Sequence, residues 1–252
     1  MNVNSHNRYE GKRIVITGGS RGSGFDTARF LTNEGARVLI TGRDKTQLGV
    51  AQAQLGEQVV AVQSDAASLP DIDMLAERVQ TEFGAIDALF VNAGITRFVP
   101  FESVSEAVYD DVFAINTKGP YFTVQRLAPF LEQGAGVVLT TSVSNVLGIP
   151  LISAYAASKA ALRSMTRGLA RELLPRKVRV NAVSPGPIDT GMLEDALPAE
   201  AAEQTKTQMT RENPMLRFGN GIEVARAVSF LAFDATYTTG AELPVDGGGS
   251  QI

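Results

Sequence analysis

Short apolar, β-branched runs recur along the chain with helix-like segments between them, and this alternation restricts the possible folds more than any other feature. The runs are Ile14-Val15-Ile16, Val38-Leu39-Ile40, Val59-Val60-Ala61-Val62, Ala88-Leu89-Phe90-Val91, Val137-Val138-Leu139 and Val178-Arg179-Val180, with a weaker last one at Leu243-Pro244-Val245. Their residues are apolar consecutively rather than alternately, which suits strands buried on both faces. Between the runs, apolar residues take helical spacing. Phe25, Ala28 and Leu31 form one such set; Ile72, Leu75, Val79 and Phe83 form another, which ends at Gly84. The alternation predicts an α/β chain: a single-domain Rossmann fold, with a doubly wound parallel sheet of about seven strands and helices on both faces.

No composition break, Pro/Ser-rich linker or internal repeat interrupts the pattern. The 252 residues therefore read as one domain over 11–252, preceded by an N-terminal arm over 1–10. The stretch 190–213, TGMLEDALPAEAAEQTKTQMTREN, is helix-prone, mixed in polarity and without a strand run. It predicts one or two helices inserted over the C-terminal ends of the strands, where open α/β sheets bind ligands. A mobile substrate lid is the functional reading of this segment, and a rigid packing excursion is the alternative.

The segment RIVITGGSRGSGFDTARFL places a strand, a glycine-rich turn and a helix in order. Gly18, Gly22 and Gly24 would let the backbone turn tightly and approach a diphosphate, while the helix start offers free N–H groups and a positive dipole end. Ser20 and Arg21 lie inside the turn. In a dinucleotide site, an acidic residue at the end of the second strand would hold the adenosine ribose. Here Thr41 and Gly42 stand at that end and Arg43 follows. A guanidinium there suits a 2′-phosphate, which it meets in a forked geometry, and Arg21 would add a second positive charge. The expectation is NADP(H) rather than NAD(H), with Asp44 as the residue that argues the other way.

Composition removes several competing chemistries. There is no cysteine, so thiolate nucleophiles, disulfides and zinc–thiolate sites are excluded, and the only histidine, His6, sits in a polar N-terminal segment. A histidine-based triad and a metal site are not expected. The formal charge of −4 offers no basic excess for nucleic acid or an anionic membrane. The N-terminal MNVNSHNRYEGK lacks the apolar core of a signal peptide, and no apolar run approaches the roughly 18 residues of a spanning helix. A cytoplasmic location is the expectation.

Taken together, the motifs resemble the short-chain dehydrogenase/reductase family in its compact form. The resemblance runs from Lys12 to Gly249 and rests on TGGSRGSG, on NAG at Asn92-Ala93-Gly94, on Asn116, on Ser142 after the fifth strand run, and on YAASK with Tyr155 and Lys159. VRVNAVSPGPIDT and TGAELPVDGGGS also fit. The look is similar to 3-oxoacyl-carrier-protein reductases and bacterial alcohol or ketone dehydrogenases. It implies Asn116, Ser142, Tyr155 and Lys159 as the catalytic set, with a bound water at Asn116 linking Lys159 to solvent. It implies Gly18, Ser20, Arg21, Gly22, Gly24, Arg43, Asp65, Asn92, Gly94, Tyr155, Lys159, Pro185, Gly186, Ile188 and Thr190 along the cofactor, with Asp65 at the adenine, and Ile188 and Thr190 at the nicotinamide amide. It also implies paired helices in a homotetramer.

The residues support that chemistry. Hydride transfer to a carbonyl carbon leaves negative charge on its oxygen, which needs a proton donor and a stabilising partner. Tyr155 and Lys159 are four apart and share one face of a helix, and the small residues around them let that helix lie close to a cofactor. A nearby ammonium favours the phenolate, and Lys159 together with an oxidised nicotinamide is expected to draw the phenol's pKa down. Ser142 would hold the substrate oxygen for Tyr155. It has no histidine base to make it a nucleophile. Ser142, Val143, Tyr155 and Met192 are the expected substrate contacts, with Ile95, Asn145, Leu147, Ile149 and Leu193 near the same mouth. These are mostly apolar and predict a ketone or secondary alcohol with an apolar part. The rival readings are a nucleotide-sugar epimerase or dehydratase, and a cofactor-sensing regulator without turnover.

Overall fold

The computed structural model describes residues 7–252; residues 1–6, with His6 and the start of the predicted arm, lie outside the described residues, and for Met192 and Ala196 only the backbone is described. Seven strands form one parallel sheet: β1 (Arg13–Thr17), β2 (Arg37–Gly42), β3 (Val60–Gln63), β4 (Ile86–Val91), β5 (Leu131–Thr140), β6 (Arg179–Pro185) and β7 (Glu242–Val245). Their order in space is β3-β2-β1-β4-β5-β6-β7, with every neighbouring pair parallel. The helices are α1 (Gly22–Asn33), α2 (Lys45–Leu55), α3 (Leu69–Phe83), α4 (Glu106–Phe113), α5 (Gly119–Leu127), α6 (Ser153–Leu173), α7 (Met192–Ala196), α8 (Ala199–Glu212) and α9 (Gly221–Ser229).

Because side chains alternate along a strand, each buried run feeds two cores. Ile14 and Ile16 of β1 join Leu31 of α1, Leu48 of α2 and Val224 and Val228 of α9 on one side of the sheet. Val15, between them, joins Leu75 and Val79 of α3, Val124 and Leu127 of α5 and Ala170 of α6 on the other. This two-sided burial is why the strands read as continuous apolar runs.

Two strands run longer than the apolar runs predict. β6 continues through Asn181 and Ser184, both buried polar residues that break the apolar pattern. Asn181 is satisfied from outside its strand: its Nδ2 donates to the Thr238 carbonyl at 2.9 Å and its Oδ1 accepts from the Ala241 amide at 3.0 Å. β5 begins at Leu131, but Glu132, Gln133 and Gly134 are exposed and the register with β4 shifts between Ile86 and Ala88. Arg179, a charge inside a predicted strand, is also buried. Its guanidinium donates to the carbonyls of Leu231, Ala232 and Ala235 at 2.7, 2.6 and 3.0 Å, closing the π-helical turn Phe230–Asp234 that follows α9. These are carbonyls that a helix end leaves without intrahelical partners.

The strand order reverses between β1 and β4. Ligands in open parallel sheets bind at such a switch point, beyond the carboxyl ends of the strands. Thr17 and Val91 end the two strands there, and the Gly18 turn and Asn92-Ala93-Gly94 follow directly. The segment 190–213 forms α7 and α8, and no helix among the described residues is long and apolar enough to cross a membrane.

Candidate active site

The crevice starts at the glycine turn. Gly18 and Gly22 have positive φ values of 65° and 56°, a region that side-chain-bearing residues rarely adopt. Gly24 has a different reason to be glycine: a Cβ there would lie 2.2 Å from the Gly18 carbonyl oxygen and 2.6 Å from Asn92 Nδ2. α1 begins at Gly22 with no side-chain cap and no acidic residue in its first turn. Asp44, Ser68, Ser105 and Asn220, in contrast, cap α2, α3, α4 and α9 through their side chains. The N–H groups of α1 and its positive dipole end are thus left for an anion beside the turn. This donor set fits a dinucleotide diphosphate.

Asn92 ties the turn to β4. Its Nδ2 donates to the carbonyls of Thr17 and Gly18, both at 3.2 Å, and the Thr17 hydroxyl oxygen accepts from the amides of Asn92 and Ala93 at 3.0 and 3.1 Å. At the end of β2, Thr41 accepts from the Gly19 amide at 2.9 Å, and a Cβ on Gly42 would meet Ser20 Oγ at 3.0 Å. Arg43 is exposed and makes no ion pair among the described residues, while its carbonyl accepts from Gln63 Nε2. The Asp44 carboxylate accepts from the Gln47 amide at 2.9 Å as the cap of α2. Arg21 is paired with Asp195 of α7. Asp65 turns the chain after β3: its Oδ1 accepts from the Ala67 amide, and its own amide donates to Asp71.

On the far side of the crevice, β6 leads into Pro185 and Gly186, and the Gly186 amide donates to the Val245 carbonyl at 3.0 Å. Ile188 forms an isolated parallel bridge with Gly219, in which Gly219 donates to Pro187 and Asp189 donates to Gly219. In that pattern the N–H and C=O of Ile188 itself point the opposite way, as a backbone contact to a ligand requires. Thr190 stands across the glycine turn, 3.3 Å from where a Cβ on Gly22 would be.

α6 presents Tyr155 and Lys159 to the same crevice. Lys159 is 3% exposed, and its ammonium donates to the carbonyl of Thr140, the last residue of β5, at 2.8 Å. Burial lowers its pKa to about 8, a difference of about 3 kcal/mol between the protonation states. The ammonium still dominates at neutral pH. Burial pushes the Tyr155 phenol up, and the Ser142 hydroxyl acts in the opposite direction. The Lys159 ammonium lies over the Tyr155 ring, 5.6 Å from its centroid, and donates to the backbone of β5. The expected lowering of the phenol's pKa joins Lys159 to an oxidised nicotinamide, and the upward shift is that of the chain alone. In the chain by itself Tyr155 is a protonated acid.

Ser142 begins the short 3-10 turn Val143–Asn145, and its Oγ accepts from the Ser144 amide at 3.2 Å. Its hydroxyl proton is left for another partner. Asn116 lies fully buried in a π-helical turn, Ala114–Lys118, between α4 and α5. Such a turn interrupts a helix where a side chain is needed out of helical register. The Asn116 amide pins the chain after β4: Oδ1 accepts from the Ile95 amide at 2.8 Å, and Nδ2 donates to the Ile95 carbonyl and to Ser158 Oγ at 2.9 and 3.1 Å. A Cβ on Gly94 would sit 3.2 Å from Asn116 Oδ1 and 3.3 Å from Lys159 Nζ, so these three residues converge. Val143 and Leu193 are buried nearby in sequence to Ser142 and Thr190; the side chain of Met192 lies outside the description.

The structure adds residues that the motifs left unread. Ser158 accepts from Asn116 and donates to the Tyr155 carbonyl at 2.6 Å, joining two of the expected residues. Thr140 holds Lys159 through its carbonyl, an interaction that carries no side-chain signature. Glu242 at the start of β7 reaches the Ser142 turn. No cluster of His, Cys, Asp and Glu able to hold a metal ion occurs among the described residues.

Comparison with known proteins places this geometry. A family model described as enoyl-(acyl carrier protein) reductase matches residues 18–250. An oxidoreductase from Sarocladium schorii, asL5, is 39% identical over 248 residues, covering 97% of this chain and 98% of its own. The 3-oxoacyl-[acyl-carrier-protein] reductase FabG of Staphylococcus aureus is 36% identical over 244 residues, covering 94% and 97%. Among solved structures, a short-chain dehydrogenase/reductase from Brucella melitensis described as a glucose/ribitol dehydrogenase superposes with a TM-score of 0.91 at 32% identity, covering 98% of this chain and 99% of that one.

Proposed function

The chain belongs to the short-chain dehydrogenase/reductase family, and from that premise we propose that it is an NADPH-dependent carbonyl reductase, working in reverse as an alcohol dehydrogenase, with Tyr155 as its acid and base. One observation carries the proposal: α6 sets a protonated Tyr155 beside the Ser142 hydroxyl and over a buried Lys159, at the end of the strand next to the switch point.

A nicotinamide cofactor, when bound, supplies the hydride. The turn at Gly18, Gly22 and Gly24 and the open start of α1 would hold its diphosphate, with Asn92 and Gly94 keeping the crevice in shape. Ser142 would donate to the substrate carbonyl oxygen and align it with the Tyr155 phenol. Tyr155 then gives its proton to that oxygen as negative charge develops. Lys159, charged at neutral pH, would steady the phenolate left behind and reach the ribose hydroxyls. Asn116 and Ser158 keep Ile95 and the start of α6 fixed around this group.

The preference for NADP(H) rests on the end of β2. Asp44, the residue that argued for NAD(H), caps α2 through one carboxylate oxygen, while Arg43, which follows Gly42 in the chain, is exposed. Arg21 would complete the phosphate site on leaving Asp195. Asp65 would meet the adenine through its remaining carboxylate oxygen, and Pro185, Gly186, Ile188 and Thr190 would line the nicotinamide end.

The substrate side is apolar: Val143 is buried, and Val146, Leu147 and Leu151 stand exposed on the loop after Ser142. This favours a ketone with an apolar part. A second reading, reduction of a 3-oxoacyl group on a carrier protein, is favoured by the likeness to the Staphylococcus aureus reductase. The helices α7 and α8 would form a lid over the site, tied down by Arg21–Asp195 and by Lys206 to Asp189 and Glu194. A homotetramer is the proposed assembly, and a monomeric mass by light scattering would contradict it.

The experiment is oxidation of NADPH, and separately of NADH, against apolar ketones, quinones, β-ketoesters and 3-oxoacyl carrier protein. Turnover with free ketones and NADPH supports the first reading, and turnover confined to the carrier-bound substrate supports the second. No turnover with any of them, in protein that binds NADPH, would leave a regulator.

A further inference from the structure

Glu242 is a carboxylate brought from the far edge of the sheet to the Ser142 turn. Its Oε1 accepts from the Thr141 hydroxyl at 2.5 Å and from Asn145 Nδ2 at 2.7 Å, and its Oε2 faces Arg163 Nε at 3.3 Å. Thr141 and Asn145 bracket Ser142. Thr141 has a single hydroxyl proton and two acceptors in reach, since the Val183 carbonyl lies at 3.0 Å. The shorter, charged contact takes the proton. Arg163 is held in turn by the Gly240 carbonyl at 2.9 Å and lies on α6 one turn beyond Lys159. Side chains from the turn after β5, from β7 and from α6 thus meet at Glu242, whose side chain is only 14% exposed.

We infer that Glu242 is a positioning residue for Ser142, fixing the 141–145 turn from both ends so that the serine hydroxyl faces Tyr155. The inference rests on the carbonyl-reductase reading for its consequence in catalysis, but not for its structural content. The Asn145 amide supports it independently. Its Oδ1 is buried without a hydrogen-bond partner, so the amide is oriented by what Glu242 accepts rather than by its own oxygen. A neutral apolar residue at 242 would leave Thr141 free to turn to Val183 and would leave the Asn145 amide with no partner that sets its direction. A displacement of the order of an ångström at a positioning group lowers turnover by about 10²-fold.

The test uses Glu242→Leu, Glu242→Gln and Asn145→Ala in the full chain. The first readout is independent of turnover: crystal structures with NADPH, compared at Ser142 Oγ. The expectation is that Glu242→Leu displaces Ser142, and that Glu242→Gln, which keeps an accepting oxygen, restores its place. The second readout is steady-state kinetics, with kcat on a ketone falling in Glu242→Leu and in Asn145→Ala, recovering in Glu242→Gln, and NADPH affinity unchanged throughout. If Glu242→Leu does not fold, Asn145→Ala carries both readouts. An unmoved Ser142, or losses of kcat and NADPH affinity in parallel, would overturn the inference. Absence of wild-type turnover would count against the carbonyl-reductase reading alone, because the position of Ser142 still decides the role of Glu242.

Discussion

The turn after β1 and the helix after β5 build opposite sides of one crevice by opposite means. At the turn, the chain works by leaving side chains out. Gly18 and Gly22 adopt positive φ, Gly24 admits the Gly18 carbonyl and Asn92, and α1 starts without a cap. At the other side, the work is done by side chains that are costly to bury, above all Lys159. The first arrangement suits a ligand recognised by its diphosphate, which backbone N–H groups can hold. The second suits a reaction, in which a proton has to be held at a chosen atom. Binding and turnover are accordingly expected to separate on substitution.

The largest separation is expected at Tyr155. Tyr155→Phe removes the proposed acid and should lower turnover by about 10³-fold while NADPH affinity stays unchanged, because general acid–base groups contribute in that range. Kinetics and calorimetry on the same preparation measure both. Gly24→Ala is the converse: its Cβ would enter the space of the Gly18 carbonyl at 2.2 Å. The backbone would shift, with a stability loss of about 1–3 kcal/mol and weakened cofactor binding, read by thermal unfolding with and without NADPH. Intact NADPH affinity in a folded Gly24→Ala would break the comparison.

Lys159→Met sharpens it through pH. The folded pKa of Lys159 is about 8, below its ordinary value of 10.5. Between these values the unfolded chain binds more protons than the folded one, so wild-type stability gains as pH rises through the window, by about 3 kcal/mol in total, and loses it again as pH falls to 8. Lys159→Met should lack that gain. Denaturant unfolding at several pH values checks it, and parallel pH curves for the two proteins would contradict a buried ammonium. The smallest effect is at the rim of the crevice: Arg43→Ala should weaken NADPH by about 10-fold and leave NADH unchanged, in keeping with loss of one hydrogen bond to a charged group. Equal losses for both cofactors would remove Arg43 from the phosphate site.

The two sides also differed in how they could be read from sequence. Glycines between a strand run and a helical pattern point to a tight turn at once, and the runs around Ile14, Val38 and Phe90 gave the sheet because two-sided burial demands apolar residues at every position. Tyr155 and Lys159 were legible from helical spacing joined to the surrounding motifs. Interactions made by the backbone or across distant segments were not. Nothing in the sequence announces that the Thr140 carbonyl takes the Lys159 ammonium, or that Glu242 meets Thr141 and Asn145 about a hundred residues away in the chain. A separation of four residues likewise gives the shared helix face of Tyr155 and Lys159, not which acceptor the ammonium chooses. The extent of β6 was hidden because Asn181 and Ser184 are polar yet buried, and the partners that satisfy Asn181 are supplied only by the fold.

The central claim is that hydride and proton reach the carbonyl from different places, the proton from Tyr155. The direct measurement is reduction of an accepted ketone with NADPH deuterated at the reactive ring carbon, in ordinary water, by wild type and Tyr155→Phe, with mass analysis of the alcohol. The account predicts one deuterium on the carbinol carbon with wild type, and almost no alcohol with a Tyr155→Phe protein that still binds NADPH. Alcohol lacking the label, or labelled alcohol formed as fast without the phenol, would contradict it.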